Sequence, residues 1–118
     1  MAIRCLVVDD SPHFLEAAVV GLSRNGLEVV GTASTSAEAL DETRRLHPDV
    51  VLVDVSLGQE SGFDLSRRLV ELPGSPPRIV LISTHAEDDL AEQIAASPVV
   101  GFIPKSRLSA EAVQALLD

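Results

Sequence analysis

The stretch of sequence that decides the fold is Ile3-Arg4-Cys5-Leu6-Val7-Val8-Asp9-Asp10-Ser11-Pro12. Its first six residues are mostly apolar and include three β-branched side chains, a pattern typical of a strand buried in a parallel sheet. Ser11 is a good N-cap and Pro12 suits the first position of a helix. The stretch therefore predicts a strand that passes into a helix through two adjacent aspartates, Asp9 and Asp10.

The same alternation of strand and helix continues along the rest of the chain. The predicted strands are Ile3 to Val8, Leu27 to Thr32, Val50 to Asp54, Arg78 to Ile82 and about Val99 to Ile103. Five β/α units of this length predict an α/β fold, a doubly wound five-stranded parallel sheet with the strand order 2-1-3-4-5. In that order the first and third strands are neighbours, so the acids that end them are expected to lie side by side.

Capping residues and apolar spacing predict the helices between these strands. The first helix follows Ser11 and ends at Asn25-Gly26, and the second begins at the capping box Thr35-Ser36-Ala37-Glu38 and runs to about Leu46. The other three helices are predicted from their apolar residues, which are Leu65, Leu69 and Leu72 after Ser61, then Leu90, Ala91, Ile94 and Ala95, then Val113, Leu116 and Leu117 after Ser109.

Length and charge exclude several classes of function. The 118 residues predict one domain, 1–118, and 18 acids against 9 Lys and Arg give a net charge of −9. That charge argues against direct nucleic-acid binding, which needs a basic surface. No apolar run approaches the ~20 residues of a membrane helix, and no signal peptide is visible, so no membrane contact and a cytoplasmic location are expected.

Polar residues stand where four of the predicted strands end. They are Asp9 and Asp10, then Asp54, then Ser83, and finally Lys105. Because ligands of an open parallel sheet bind outside the carboxyl ends of its strands, these side chains are expected to converge at one edge. Carboxylates there can hold a hard cation, and a lysine can neutralise a phosphate. An aspartate beside both is a plausible acceptor of a phosphoryl group.

The residues Val7-Val8-Asp9-Asp10-Ser11 and Pro48-Asp49-Val50-Val51-Leu52-Val53-Asp54, followed by Ser83 and Lys105, resemble the receiver domain of bacterial response regulators. The resemblance covers essentially the whole chain, in order and at matching separations. It implies a flavodoxin-like receiver fold and a signalling role in a two-component phosphorelay. A receiver of this kind is not an enzyme in the usual sense, and its expected partner is a sensor histidine kinase.

The resemblance also implies a role for each acid. Asp54 corresponds to the phosphoacceptor, which takes its phosphoryl group from a phosphohistidine of the kinase. A Mg²⁺ cofactor would be held by Asp10, Asp54 and the backbone carbonyl of Ser56, with Asp9 acting through water. The cation would offset the repulsion between an anionic nucleophile and an anionic donor.

Three further residues would read out the phosphoryl group. The resemblance implies that Lys105 binds one of its oxygens and that Ser83 donates a hydrogen bond to another. Phe102 occupies the position of the aromatic residue that turns inward behind this hydroxyl. The surface formed by the fourth helix, the fifth strand and the fifth helix would then change shape, and it is also the expected homodimer face.

Some positions depart from the family pattern and keep an alternative open. Thr84 stands where a very small residue is usual, and Lys105 is followed by Ser106 where many receivers have proline. These departures allow a pseudo-receiver, a protein-binding module that works without phosphorylation. The Lys105-Ser106 pair also occurs in receivers that precede a helix-turn-helix output domain. A metal-dependent phosphatase is disfavoured, because the first strand lacks the Asp-x-Asp pattern of those enzymes.

Overall fold

The structure, a computed structural model, describes residues 2–118. The strands of its main sheet are β1 Ile3–Val8, β2 Leu27–Ala33, β3 Val50–Asp54, β4 Arg78–Ser83 and β5 Gly101–Pro104. All five are parallel and lie in the order β2-β1-β3-β4-β5. The predicted fold class and strand order are confirmed. A separate short hairpin pairs Ser56–Leu57 with Glu60–Ser61, directly after β3.

Four helices connect successive strands, and a fifth follows the last strand. They are α1 Pro12–Ser23, α2 Ser36–Leu46, α3 Gly62–Val70, α4 Ala91–Ala95 and α5 Ala110–Leu117, with 3₁₀ turns at Glu87–Leu90 and Lys105–Arg107. Among residues 2–118, none of these helices has the length and apolar character needed to cross a membrane.

The core forms two layers, one on each face of the sheet, because successive strand residues point to opposite faces. On one face, strand residues such as Val51 and Leu81 pack with Leu69 of α3. On the other face, residues such as Leu52 pack with Leu22 of α1 and with α5. Helices therefore cover both sides of the sheet, and its carboxyl edge is left free for polar side chains.

The helix N-caps form where the sequence predicts them. The hydroxyl of Ser11 accepts from the Phe14 amide at 3.3 Å, and the Thr35 hydroxyl accepts from the Glu38 amide at 3.1 Å. Ser109 caps α5 in the same way. The capping box is shifted by one residue, because the Glu38 carboxylate accepts from the amide and the hydroxyl of Ser34 and not from the Thr35 amide.

Several element bounds differ from the predictions. Helix α3 ends at Val70, so the predicted helical residue Leu72 lies beyond it, although its side chain still packs against the core. Strand β5 begins at Gly101 and not at Val99, because the Val99 amide bonds back to the Ser97 carbonyl at 2.9 Å in a tight turn. Strands β2 and β4 each continue one residue further than predicted, to Ala33 and Ser83.

The fourth helix differs most from its prediction. It begins as a 3₁₀ turn over Glu87–Leu90, and the α-helical part covers only Ala91–Ala95. Neither part contains a buried residue, although Leu90 and Ile94 contact the core. Because this segment buries so little apolar surface, we expect it to be held less tightly than the other helices.

Candidate functional site

The carboxyl edge of the sheet gathers three aspartates from two neighbouring strands. Asp9 and Asp10 follow β1, and Asp54 is the last residue of β3, the strand paired with β1. Each of the three offers one carboxylate oxygen, and these oxygens all lie within 4.8 Å of one another. Asp9 and Asp54 are buried, whereas Asp10 is exposed. The edge therefore combines a desolvated acidic pair with one acid open to solvent.

Lys105 brings a positive charge to the same edge. It follows β5, and its Nζ lies 2.6 Å from Oδ2 of Asp9 and 3.2 Å from Oδ2 of Asp54. The Lys105 side chain is only 16% exposed. The ammonium therefore bridges the two buried carboxylates and is itself largely shielded from solvent. Such a pair of contacts offsets much of the cost of burying the acids.

Backbone groups orient the two buried carboxylates. Oδ1 of Asp9 accepts from the Ser11 amide at 2.9 Å, and Oδ1 of Asp54 accepts from the Ser56 amide at 3.2 Å. Oδ2 of Asp9 is buried and receives no hydrogen bond of ordinary geometry from residues 2–118, so its contact with Lys105 is an ion pair. Each acid thus presents one oxygen to the backbone and the other to the pocket.

Burial and charge act in opposite directions on the groups of this site. Burial raises the pKa of Asp54, and the nearby Asp9 charge raises it further, while the Ser56 amide and Lys105 partly offset both effects. Burial pulls the pKa of Lys105 down, but its contacts with Asp9 and Asp54 outweigh this, and the net pKa is raised. Lys105 is therefore a permanent cation at neutral pH.

The donor set fits a hard divalent cation. Carboxylate oxygens are the ligands that Mg²⁺ prefers, and two Mg–O bonds on opposite sides span about 4.2 Å. The three oxygens here lie within 4.8 Å of one another, a spacing close to the span of a single octahedral ion. Oδ2 of Asp9 makes no hydrogen bond of ordinary geometry and is paired with the Lys105 ammonium at 2.6 Å, so an ion here would share the negative charge of this oxygen with Lys105.

The hairpin after β3 carries Ser56, another residue that the sequence singles out. Ser56 is exposed, and its amide donates to Asp54. At the hairpin turn, Gly58 has a positive φ of 61°, a conformation that favours glycine. A Cβ at Gly58 would lie 3.8 Å from Oδ2 of Asp10. The hairpin therefore borders the acidic cluster on its exposed side.

Ser83 and Phe102 lie at the same edge on the adjacent strands β4 and β5. Ser83 is 2% exposed, and its hydroxyl accepts from the His85 amide at 2.9 Å and lies 3.3 Å from Nδ1 of the His85 ring. Phe102 pairs with Leu81 across the strands and is 8% exposed, so its ring is packed in the core. The hydroxyl in this structure is thus engaged by His85.

Two residues of the site have no assigned role in the sequence predictions. The ring of Phe14 lies under Lys105, with its centroid 4.5 Å from Nζ. Gly62 donates its amide to the Val55 carbonyl at 2.8 Å, and a Cβ there would lie 2.1 Å from the Asp54 carbonyl oxygen. The sequence feature that could have indicated this role of Gly62 is a glycine in the first position of a helix, where a residue of higher helix propensity is usual.

Comparison with known proteins places these features in context. A family model described as the response regulator receiver domain matches residues 5–117. A Mycobacterium tuberculosis protein described as a probable transcriptional regulatory protein, NarL, is 36% identical over 98% of this chain. The match covers 54% of that protein, so the chain spans about half of the relative's length.

Solved structures that are similar to this one include the following two. The signal receiver domain of NarL from Mycobacterium tuberculosis has a TM-score of 0.84 at 34% identity, with 99% of this chain and 94% of that chain covered. A response regulator from Burkholderia pseudomallei has a TM-score of 0.82 at 27% identity, covering 98% of this chain and 66% of that one. That crystal structure contains a phosphorylated aspartic acid, a calcium ion and citrate.

Proposed function

This chain belongs to the response regulator receiver domain family of two-component systems, and we propose that it accepts a phosphoryl group on Asp54 from the phosphohistidine of a sensor histidine kinase. The observation that carries the proposal is the bridge from Lys105 to Asp54 and Asp9, at 3.2 and 2.6 Å, beside a cluster of three carboxylates. The phosphorylated aspartic acid of the Burkholderia pseudomallei regulator supports it. Residues 1–118 would then form one receiver domain.

In the proposed reaction the Asp54 carboxylate is the nucleophile. A bond forms between one of its oxygens and phosphorus while the phosphorus–nitrogen bond of the donor breaks, and the electron pair leaves with the imidazole. The Ser56 amide and the Lys105 ammonium hold the two Asp54 oxygens, so the carboxylate is fixed before the donor arrives. Lys105 then moves to an oxygen of the transferred group and compensates its charge.

Asp10, Asp54 and the backbone carbonyl of Ser56 would hold a Mg²⁺ ion, and Asp9 would contact it through water. When bound, the ion neutralises charge between the anionic nucleophile and the anionic donor. The exposure of Asp10 and Ser56 supports this arrangement, because it leaves one side of the acidic cluster open to solvent and to a phosphate. The closely spaced oxygens support it further.

Phosphorylation would be read out through Ser83 and Phe102. The Ser83 hydroxyl would leave His85 and donate to a phosphoryl oxygen, and Phe102, whose ring is already packed inward in this structure, would turn to fill the space behind it. The surface of α4, β5 and α5 would then change by a population shift between two states. The short α4 supports this proposal, because a helix without a buried residue rearranges at small cost. The same surface is the proposed homodimer face.

The proposed role is that of a signalling module in the cytoplasm, and not of an enzyme in the usual sense. Its partner is the sensor histidine kinase, and the net charge of −9 disfavours direct binding of nucleic acid by this domain. No membrane contact is proposed. The assembled carboxylates and ammonium support phosphorylation over the alternative of a pseudo-receiver.

Intact-mass measurement after incubation with acetyl phosphate and Mg²⁺ tests the proposal. We expect one phosphoryl adduct on the wild type, none with EDTA in place of Mg²⁺, and none on Asp54→Asn. Asp88→Asn, which removes an exposed acid of the 3₁₀ turn before α4, is the matched control and keeps the adduct. A wild type without an adduct, or an undiminished adduct on Asp54→Asn, would show that the proposal is wrong.

Partner binding separates the proposal from the pseudo-receiver. If phosphorylation drives the switch, beryllofluoride with Mg²⁺ changes the affinity for the partner or the oligomeric state, and Asp54→Asn abolishes the change. Binding that is the same with and without beryllofluoride, and the same in Asp54→Asn, would favour the pseudo-receiver.

A further inference from the structure

The ring of Phe14 forms one wall around the ammonium of Lys105. Phe14 lies in the first turn of α1, and its amide is held by the Ser11 cap at 3.3 Å. Its ring centroid is 4.5 Å from Nζ of Lys105. The ring is partly buried and packs against the core layer beneath α1 and α5. It therefore has a fixed position, set by a capped helix and by the core.

Three groups of negative character surround the Lys105 ammonium. They are the carboxylates of Asp9 and Asp54 and the face of the Phe14 ring, which carries the negative side of an aromatic quadrupole. A cation within about 6 Å of a ring centroid is attracted to that face, and the attraction grows when the cation is shielded from water. Lys105 meets both conditions, since its side chain is only 16% exposed.

The local structure around Lys105 does little to fix the position of its side chain. Lys105 belongs to a short 3₁₀ turn without a buried residue, and no capping side chain holds the start of that turn. A lysine has a long flexible stem with many rotamers, and fixing it costs conformational entropy. The two carboxylates attract the ammonium but do not by themselves determine the direction from which it approaches them.

We propose that Phe14 is a positioning residue that holds the Lys105 ammonium over Asp9 and Asp54 through a cation–π contact. The ring excludes water from one side of the ammonium and limits the directions in which it can move. This contact is a property of the folded protein alone. Its consequence rests on the proposed function: the held ammonium is ready to contact a phosphoryl oxygen on Asp54, so phosphorylation depends on the ring.

The competing explanation is that Phe14 is only an apolar residue that fills space in the core. Truncation to leucine does not separate the two, because it removes packing together with the quadrupole. Fluorination does separate them, since added fluorine atoms weaken the negative potential of the ring face while its shape is nearly kept. The informative variants therefore carry mono-, di- and trifluorophenylalanine at position 14.

The first experiment measures urea unfolding of this series without Mg²⁺. We expect stability to fall stepwise with each added fluorine, by about 2- to 30-fold in the unfolding equilibrium constant over the full series. The matched control is the same series at Phe63, a buried ring of the core that has no lysine or arginine over its face among the described residues. Equal responses at positions 14 and 63, or no trend at position 14, would overturn the inference.

A second experiment asks whether Phe14 acts through Lys105. The fluorinated series is repeated in a Lys105→Met background, where the trend at position 14 is expected to disappear. A trend of unchanged slope in that background would mean that the ring acts on something else. If Lys105→Met does not fold, the trend in the Lys105 protein, set against Phe63, still decides the question.

The third experiment follows the phosphorylation rate with acetyl phosphate and Mg²⁺. We expect the rate to fall along the position 14 series in the same order as the stability, and to be unaffected by fluorination at Phe63. A rate that stays constant while the stability falls would overturn the functional consequence. Absence of any phosphorylation, in the wild type as well, would overturn the proposed function but not the contact measured by unfolding.

Discussion

Replacing Gly62 by alanine is expected to displace the backbone that carries Asp54. Gly62 is the first residue of α3, and its missing side chain leaves room for the backbone at the end of β3. A Cβ at this position would lie 2.1 Å from the Asp54 carbonyl oxygen and 2.8 Å from the Val55 Cα. Both neighbours are backbone atoms, so no side chain can rotate away to make room.

The size of the effect follows from the distances. Ordinary contacts of a Cβ begin at 3.4 Å, so the Asp54 carbonyl and α3 must separate by about 1.3 Å. That movement strains or breaks the hydrogen bond of 2.8 Å from the Gly62 amide to the Val55 carbonyl. Overpacking costs about 1–3 kcal/mol and a lost hydrogen bond about 1 kcal/mol, while alanine regains at most about 1 kcal/mol of helix propensity. We expect a net destabilisation of about 2 kcal/mol.

Two assays check this expectation. Thermal unfolding of Gly62→Ala should show a Tm lower by about 5–12 °C. Phosphorylation by acetyl phosphate should slow by up to about 100-fold, because a shift of about 1 Å at the Asp54 backbone misplaces the nucleophile. The matched control is Gly21→Ala in α1, where a Cβ meets nothing within 4 Å and should add about 0.5–1 kcal/mol of stability.

A Gly62→Ala protein as stable as the wild type would refute the packing argument. A protein that is destabilised but phosphorylated at the normal rate would mean something different. It would show that the strain is absorbed by α3 and does not reach the Asp54 side chain.

Two more predictions concern buried ionisable groups. Asp54→Asn should raise stability at neutral pH without Mg²⁺ by about 0.5–2 kcal/mol, because burial and the Asp9 charge raise the pKa of Asp54 and so penalise its charged form. The pKa of Asp54 is higher in the folded protein than in the unfolded chain, so the penalty is absent below the unfolded pKa and appears as the pH rises. In urea unfolding, the stability advantage of Asp54→Asn over the wild type should therefore disappear in acid. Burial raises the pKa of the Cys5 thiol from 9.0 to about 12. The Cys5 thiol of the folded protein should therefore react very slowly with iodoacetamide at pH values near 8 and become reactive in urea. The free energy of unfolding should fall as the pH rises from 9.0 to about 12. Fast alkylation of the folded protein, or an Asp54→Asn variant less stable than the wild type without Mg²⁺, would contradict these expectations.

Much of the fold could be predicted because its signals are local. Runs such as Val50 to Asp54 identify buried strands by composition, and residues such as Ser11 and Ser109 mark helix starts by their hydroxyls. The strand order follows from general rules of handedness and connection for β/α units. The predicted bounds were wrong where apolar content was used alone, as for Val99, which a turn at Ser97 keeps out of β5.

The membership of the site could also be predicted, but its internal contacts could not. Asp9, Asp54 and Lys105 converge because parallel strands end at one edge, which is a topological fact. The sequence does not determine that Lys105 bridges both acids, nor that His85 engages the Ser83 hydroxyl. Those contacts depend on rotamers and on ångström-scale placement of the loops that follow the strands.

By itself, the order of residues determined the class of fold, the edge at which the polar groups meet and the family to which the chain is similar. The hydrophobic period, the helix caps and the approximate strand ends depend on residues that are neighbours in the chain, so they can be recognised without knowledge of the packing. Only the tertiary structure decided that Phe14 faces Lys105 and that Gly62 makes room for the Asp54 backbone. The first contact joins elements far apart in sequence, and the second joins β3 to α3 across a short hairpin. The energies of both change within about 1 Å, a distance that only close packing fixes.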